Sequence, residues 1–292
     1  MSTNHPIFEH ISPPSPTQPV ARRDFIKATL AVGLAAAVLP VSAQTIQTSA
    51  AGLTTGVVQV PTGNGSIPAY FAMPENGQNL SVVLVAHEIF GVHEHIKDVC
   101  RRLAKAGYYA IAPELFVRQG DVSTIADIQD IQKNVTSKVP DTQVMSDLDA
   151  CVAFAAQNKA VNAQKLAITG FCWGGRITWL YAAHNPRVKA GGAWYGRFEG
   201  AVSELTPTHP LDVVRQINAP ILGLYGGADT GIPLTSVALM QASLQAVGKP
   251  SKIIIYPDTP HAFNADYRPS YREAAAKDAW GQLMQWFKTN GV

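Results

Sequence analysis

Cysteine is scarce in this chain, with three among 292 residues and no C-x-x-C pair. An odd count cannot be consumed entirely in internal disulfides, and the missing pair removes the usual site of thiol–disulfide exchange. Charge is thin as well. The formal net charge is +2 and no dense basic block occurs, so there is no electrostatic footprint for nucleic acid or an anionic membrane surface. Internal repeats are absent, and no linker or composition break divides residues 44–292. What the chain has is apolar substance, 47% of its residues, enough for one sizeable α/β domain.

The first 43 residues read as an address and not as fold. "ARRDFIK" supplies the twin arginine Arg22-Arg23, and the apolar run "ATLAVGLAAAVLPV" follows. That run is short for a membrane span, which counts against the alternative of a basic tail before an anchor. "VSA" offers the small residues that signal peptidase needs, so cleavage is expected after Ala43. The pattern resembles a twin-arginine export signal. It implies the twin-arginine machinery and signal peptidase as transient partners, and a periplasmic or otherwise exported mature protein.

Strand and helix patterns alternate through the rest of the chain. "GVVQVPT" and "IPAYFAMP" read as strands joined at "GNGS", and "SVVLVAH" as a strand buried on both faces. A helix over 95–107, the strand "YYAIAPEL", a polar excursion over 117–140 and a helix from Asp141 to Asn158 follow. The strand "KLAIT", a helix to about His184, "VKAGGAWYG", a second excursion, "ILGLYGGAD", a helix, "SKIIIYPDT" and a closing amphipathic helix complete the order. This alternation predicts a doubly wound, mostly parallel sheet with helices on both faces. Cys100 and Cys151 fall in phase with apolar helical stripes and read as small buried hydrophobes on opposite faces of the sheet, staying reduced.

Cys172 falls outside such a stripe. Gly170-Phe171-Cys172-Trp173-Gly174 fits the G-x-nucleophile-x-G turn between strand and helix, in which one side chain is lifted above the sheet. Glu88, Asp229 and His261 also sit just past strand ends, where open α/β sheets gather their reactive groups. The order Cys172, Asp229, His261 is that of nucleophile, acid and base in the α/β-hydrolase triad. Cys172 would attack a carbonyl, His261 would carry the proton, and Asp229 would orient the imidazole. Glu88 ends the strand beside the one carrying Cys172, so its carboxylate is expected to reach the thiol. His93-x-His95 with Glu94 lacks a third convergent ligand and reads as a solvated helix start, so no metal is expected. His184 and His209 read as surface residues, and His87 as filling a strand end.

"VAHEIFGVHEHIKDVCRRLAKAGYYAIAPELF", "TGFCWGGRITW", "YGGAD" and "DTPHAF" resemble the dienelactone hydrolases, or carboxymethylenebutenolidases, across nearly all of residues 44–292. The resemblance implies the α/β-hydrolase fold and hydrolysis of small-molecule lactones or esters through a cysteine thioester, with no cofactor or metal. It implies Cys172, Asp229 and His261 as the triad, and Glu88 as a carboxylate that helps activate the resting thiol. It further implies the backbone amides of Ile89 and Trp173 as oxyanion hole, and Tyr195 lining the pocket. Family members acting on carboxylated substrates use arginines in the lid and after the histidine. Here none lies between Arg118 and Arg176, and only Arg268 follows His261 closely, so it is the candidate substrate-binding cation. The competing function is a non-catalytic binding protein on the same fold, which would have no need of these four side chains together.

Overall fold

The structure, a computed structural model, describes residues 45–292; the export signal expected over residues 1–43 lies outside them. A hairpin opens the fold. β1 (Leu53–Thr62) and β2 (Gly65–Pro74) pair antiparallel over their full length and turn on Gly63-Asn64 alone, a tighter reversal than "GNGS" suggested. β3 (Leu80–Ala86), α1 (Glu94–Lys105), β4 (Tyr109–Pro113), α2 (Ile128–Asn134), α3 (Asp141–Ala155) and β5 (Val161–Phe171) follow. Then come α4 (Trp173–His184), β6 (Val188–Trp194), β7 (Ile221–Gly226), α5 (Leu234–Ala246), β8 (Lys252–Tyr256) and α6 (Glu273–Thr289).

All eight strands join one sheet in the order β1-β2-β4-β3-β5-β6-β7-β8. From β4 to β8 every pairing is parallel. β3, the run "LSVVLVA", is buried at all seven positions between β4 and β5. Continuous apolar sequence is what a strand covered on both faces requires, and each Val or Leu so buried contributes about 1.5–3 kcal/mol. The excursion over 117–140 is not structureless. Asp127 caps α2 by accepting from the amides of Gln129 and Asp130, and only Ile131 of that helix is buried, so no apolar periodicity betrays it.

The chain reverses direction along the sheet between β3–β4 and β4–β5. Right-handed crossovers therefore put α1, with Cys100, and α3, with Cys151, on opposite faces. All three cysteines are free thiols, and Cys100 and Cys151 are fully buried. Burial pushes both thiols well above the ordinary cysteine range, which suppresses the thiolate that oxidation needs. Mass-spectrometric thiol counting on the denatured, unreduced protein should find three free thiols; a Cys100–Cys151 bridge would contradict this topology.

Candidate active site

β5 ends and α4 begins within one residue, Cys172, whose φ of 53° lies in the left-handed region. A non-glycine residue held there is strained by roughly 1–3 kcal/mol, and the surroundings must over-determine it. The Cys172 amide donates to the Trp194 carbonyl at 3.0 Å, continuing the ladder to β6. A Cβ on Gly170 would lie 2.2 Å from the Gly174 carbonyl oxygen, and one on Gly174 would lie 2.1 Å from that of Ala86. Only glycine allows the turn to close this tightly against β3, which is the physical content of the G-x-C-x-G spacing.

Loops after β7 and β8 bring in the next two groups. Gly227 donates to the Tyr256 carbonyl at 2.7 Å and Ala228 to that of Thr259 at 3.0 Å, so the loops are stitched together. Asp229 Oδ1 accepts from the amides of Gly231 and Ile232 at 2.8 and 3.2 Å, and its Oδ2 accepts from His261 Nδ1 at 2.6 Å. Since a carboxylate only accepts, Nδ1 carries the hydrogen and Nε2 is left for Cys172, which borders the same cavity. Burial opposes charge on His261, but the Cys172 sulfur and the Asp229 carboxylate outweigh it and raise the imidazole to about 10. The Cys172 sulfur and the Asp229 carboxylate thus both favour the charged imidazole.

Cys172, His261 and Asp229 border a cavity of about 390 Å³. Ile89, Trp173 and the fully buried Tyr195 line it too. Among the described residues the amides of Ile89 and Trp173 have no acceptor, so both can donate to an oxygen above the sulfur. His87 holds this corner together. Its Nδ1 donates to the Glu88 carbonyl at 2.6 Å, its Nε2 accepts from the Leu115 amide at 3.1 Å, and its ring stacks on Trp173.

Several expectations change. Arg268 is not among the residues lining the cavity; its guanidinium lies over the Phe90 ring at 5.8 Å. The cations that do line it are Arg176 and Arg197. Arg176 is spent on structure, bidentate to Asp141 at 2.7 Å and bonded to the Thr208 carbonyl and His209 Nδ1. His209 is accordingly a buried wall residue and not a surface one. Arg197 has no ion-pair partner among the described residues. Its only signal in sequence is that it follows "WYG". His93 and His95 are not solvated, because their ring nitrogens are buried; among the described residues no cluster of three or more His, Cys, Asp or Glu side chains is arranged to hold a metal.

Glu88 is brought to the site but does not bond the thiol as expected. Ala86 pairs with Gly170 in the sheet register, so Glu88 and Cys172 each stand two residues past that pair on neighbouring strands. The carboxylate nevertheless accepts from the Tyr267 hydroxyl and faces His93, and no hydrogen bond joins it to Cys172. An anion selects the stronger donors; a thiol is a weak one.

The sequence profile of the dienelactone hydrolase family matches residues 67–291. The chain belongs to that family. A relative from Methylorubrum extorquens, named "Putative carboxymethylenebutenolidase", is 58% identical over 274 residues, covering 94% of each chain. One of the same name from Escherichia coli is 50% identical over 260 residues, 89% of this chain and 96% of that one. Among solved structures, a "Putative Dienelactone Hydrolase" from Klebsiella pneumoniae superposes with a TM-score of 0.79 at 51% identity, covering 81% of this chain and 98% of its own. In this member of the family the sheet carries β1 and β2 as its antiparallel edge.

The imidazolium can be titrated. Because His261 is raised from the ordinary 6.5 to about 10, its charge contributes stability in full below about pH 6.5 and loses it as pH climbs to about 10. NMR titration of the His261 ring should show protonation persisting well above neutrality, and Cys172→Ala should move the midpoint down by removing one partner. A wild-type midpoint near 6.5 would reject the ion pair.

Proposed function

We propose that the protein hydrolyses lactone or carboxylic ester bonds of small molecules, with Cys172 as nucleophile. The observation that carries this reading is the convergence of Cys172, His261 and Asp229 beside two unbonded amides at one cavity. The Cys172 thiolate adds to the carbonyl carbon, and the carbonyl electron pair moves onto oxygen, facing the amides of Ile89 and Trp173. Collapse expels the alkoxide, which takes the proton of His261 Nε2 and leaves a thioester. In a lactone the alkoxide remains tethered to the same acyl group. Water then attacks the thioester as His261 takes its proton, and the thiolate departs. Asp229 holds the imidazole in register throughout. Glu88 acts in this scheme by its charge beside the sulfur and not by direct contact. The butenolide, an unsaturated lactone, in the relatives' name supports the substrate class.

A panel of lactones and small aryl esters tests this. Turnover should appear for at least one class, and Cys172→Ala should lower kcat/KM by about 10³-fold or more. Rapid quench and mass spectrometry should find an acyl mass on the peptide carrying Cys172. Tight binding without turnover would favour a ligand-carrying protein instead.

Export through the twin-arginine route belongs to the same proposal, supported by Arg22-Arg23 and the short apolar run before Ala43. Sequencing the N-terminus of the protein recovered from the periplasm should begin at Gln44. A cytoplasmic protein beginning at Met1 or Ser2 would reject it.

A further inference from the structure

Glu88 is 1% exposed, and titratable groups face it from several elements. The Tyr267 hydroxyl donates to Oε2, and His93 Nε2 stands 3.6 Å from the same oxygen. The His93 and Tyr267 rings meet edge to face at 4.9 Å, so the three side chains brace one another. Behind them His95 Nδ1 bonds Asp266 at 2.9 Å, and Arg102 pairs with Asp266 at 3.2 Å. Those bonds lock the loop carrying Tyr267 onto α1. Towards the cavity, the Tyr195 hydroxyl is raised by burial and by Glu88 and Cys172, with Arg268 and Asp266 acting on it more weakly. His93 is in turn faced by His95, His87 and Glu114.

A lone carboxylate so buried takes up a proton and becomes neutral. Glu88 does the reverse. Burial pushes its carboxyl up, but His93, then His95 and the Tyr267 hydroxyl, outweigh burial and hold it at about 2. Burial also lowers His93. The Glu88 carboxylate is thus the anion of the cluster, and His93 Nε2 is the ring nitrogen turned to it at 3.6 Å. Neither ring nitrogen of His93 has a hydrogen-bond partner among the described residues, so Glu88 is the acceptor this nitrogen faces.

The geometry points to His93 as the positioning residue for the anion beside the nucleophile: it offers its N–H to Glu88 and, with Tyr267, keeps that carboxylate ionised and turned away from Cys172. The inference rests on Cys172 being the nucleophile of the proposed hydrolysis. Without His93, burial would push the Glu88 carboxyl up, and its charge would come and go beside the sulfur as pH changes.

The rate of Cys172 alkylation by iodoacetamide against pH, measured on the full chain, tests this without any substrate. Turnover of Cys172→Ala judges the hydrolase reading separately. In the wild type the rate should not fall anywhere between about pH 5 and 9. His93→Phe keeps the ring packing and loses the donor; its rate should fall about tenfold as pH rises through neutrality, because Glu88 gains charge beside the thiolate. That is opposite in sign to thiol deprotonation. His93→Gln, which retains an N–H donor, should restore the wild-type profile, and adding Glu88→Gln to His93→Phe should abolish the fall. A purely structural His93 would change the rate equally at every pH. A wild-type profile in folded His93→Phe, or a fall that survives Glu88→Gln, overturns the proposal. Should His93→Phe not fold, infrared difference spectra of wild type and Glu88→Gln decide: a protonated Glu88 band between about pH 5 and 8 overturns it, and its absence supports it.

Discussion

The site depends on a close approach of backbone to backbone. Gly174, at the start of α4, is pressed against the carbonyls of Ala86 and His87 at the end of β3, and Gly175 against that of Trp194 at the end of β6. Cys172 is thereby wedged between the ends of its two neighbouring strands with a positive φ that it would not choose. The strain points its side chain out of the sheet and towards the loops after β7 and β8. Those loops are cross-linked by backbone hydrogen bonds before either offers a side chain to chemistry. The sulfur, the imidazole and the carboxylate are placed by main-chain contacts, and their mutual attraction only completes the arrangement.

Charge around the sulfur is divided between two sides. On one, the His261 imidazole is paired with Asp229 at 2.6 Å and held protonated. On the other, Glu88 is held anionic by His93 and Tyr267. Tyr195 stands between them, its ring 5.1 Å from that of His261 and its hydroxyl raised by burial and by the charges of Glu88 and Cys172. A part-buried cation and a buried anion near one sulfur act more strongly on it in low dielectric than they would in water. The cavity wall serves a separate end. Arg176 spends its guanidinium on Asp141, Thr208 and His209, tying α3 and the second excursion to α4.

Much of this was legible from residue order. The apolar run of β3, the glycines around Cys172, and the polar residues just past β7 and β8 each carry a local physical signature. Elsewhere local signals failed for identifiable reasons. α2 buries a single side chain, so it has no stripe to read. His93 and His95 look like a polar helix start, yet they face inward because Glu88 and Asp266 supply buried partners from distant segments. Arg268 follows His261 closely in sequence, yet its guanidinium is drawn over Phe90.

The sequence by itself determined which strands are buried on both faces, where the nucleophile turn falls, and in what order the acid and base follow. Those properties reside in runs of a few residues, where side-chain volume and backbone freedom act locally. Tertiary structure alone decided which donor claims Glu88, which arginines reach the cavity, and that His209 is a wall. Each of these is a competition between partners far apart in the chain: Glu88 and Tyr267 are separated by 179 positions. Hydrogen bonding between such groups is settled by distance and donor strength in the folded molecule, and neither quantity is written in the neighbouring residues.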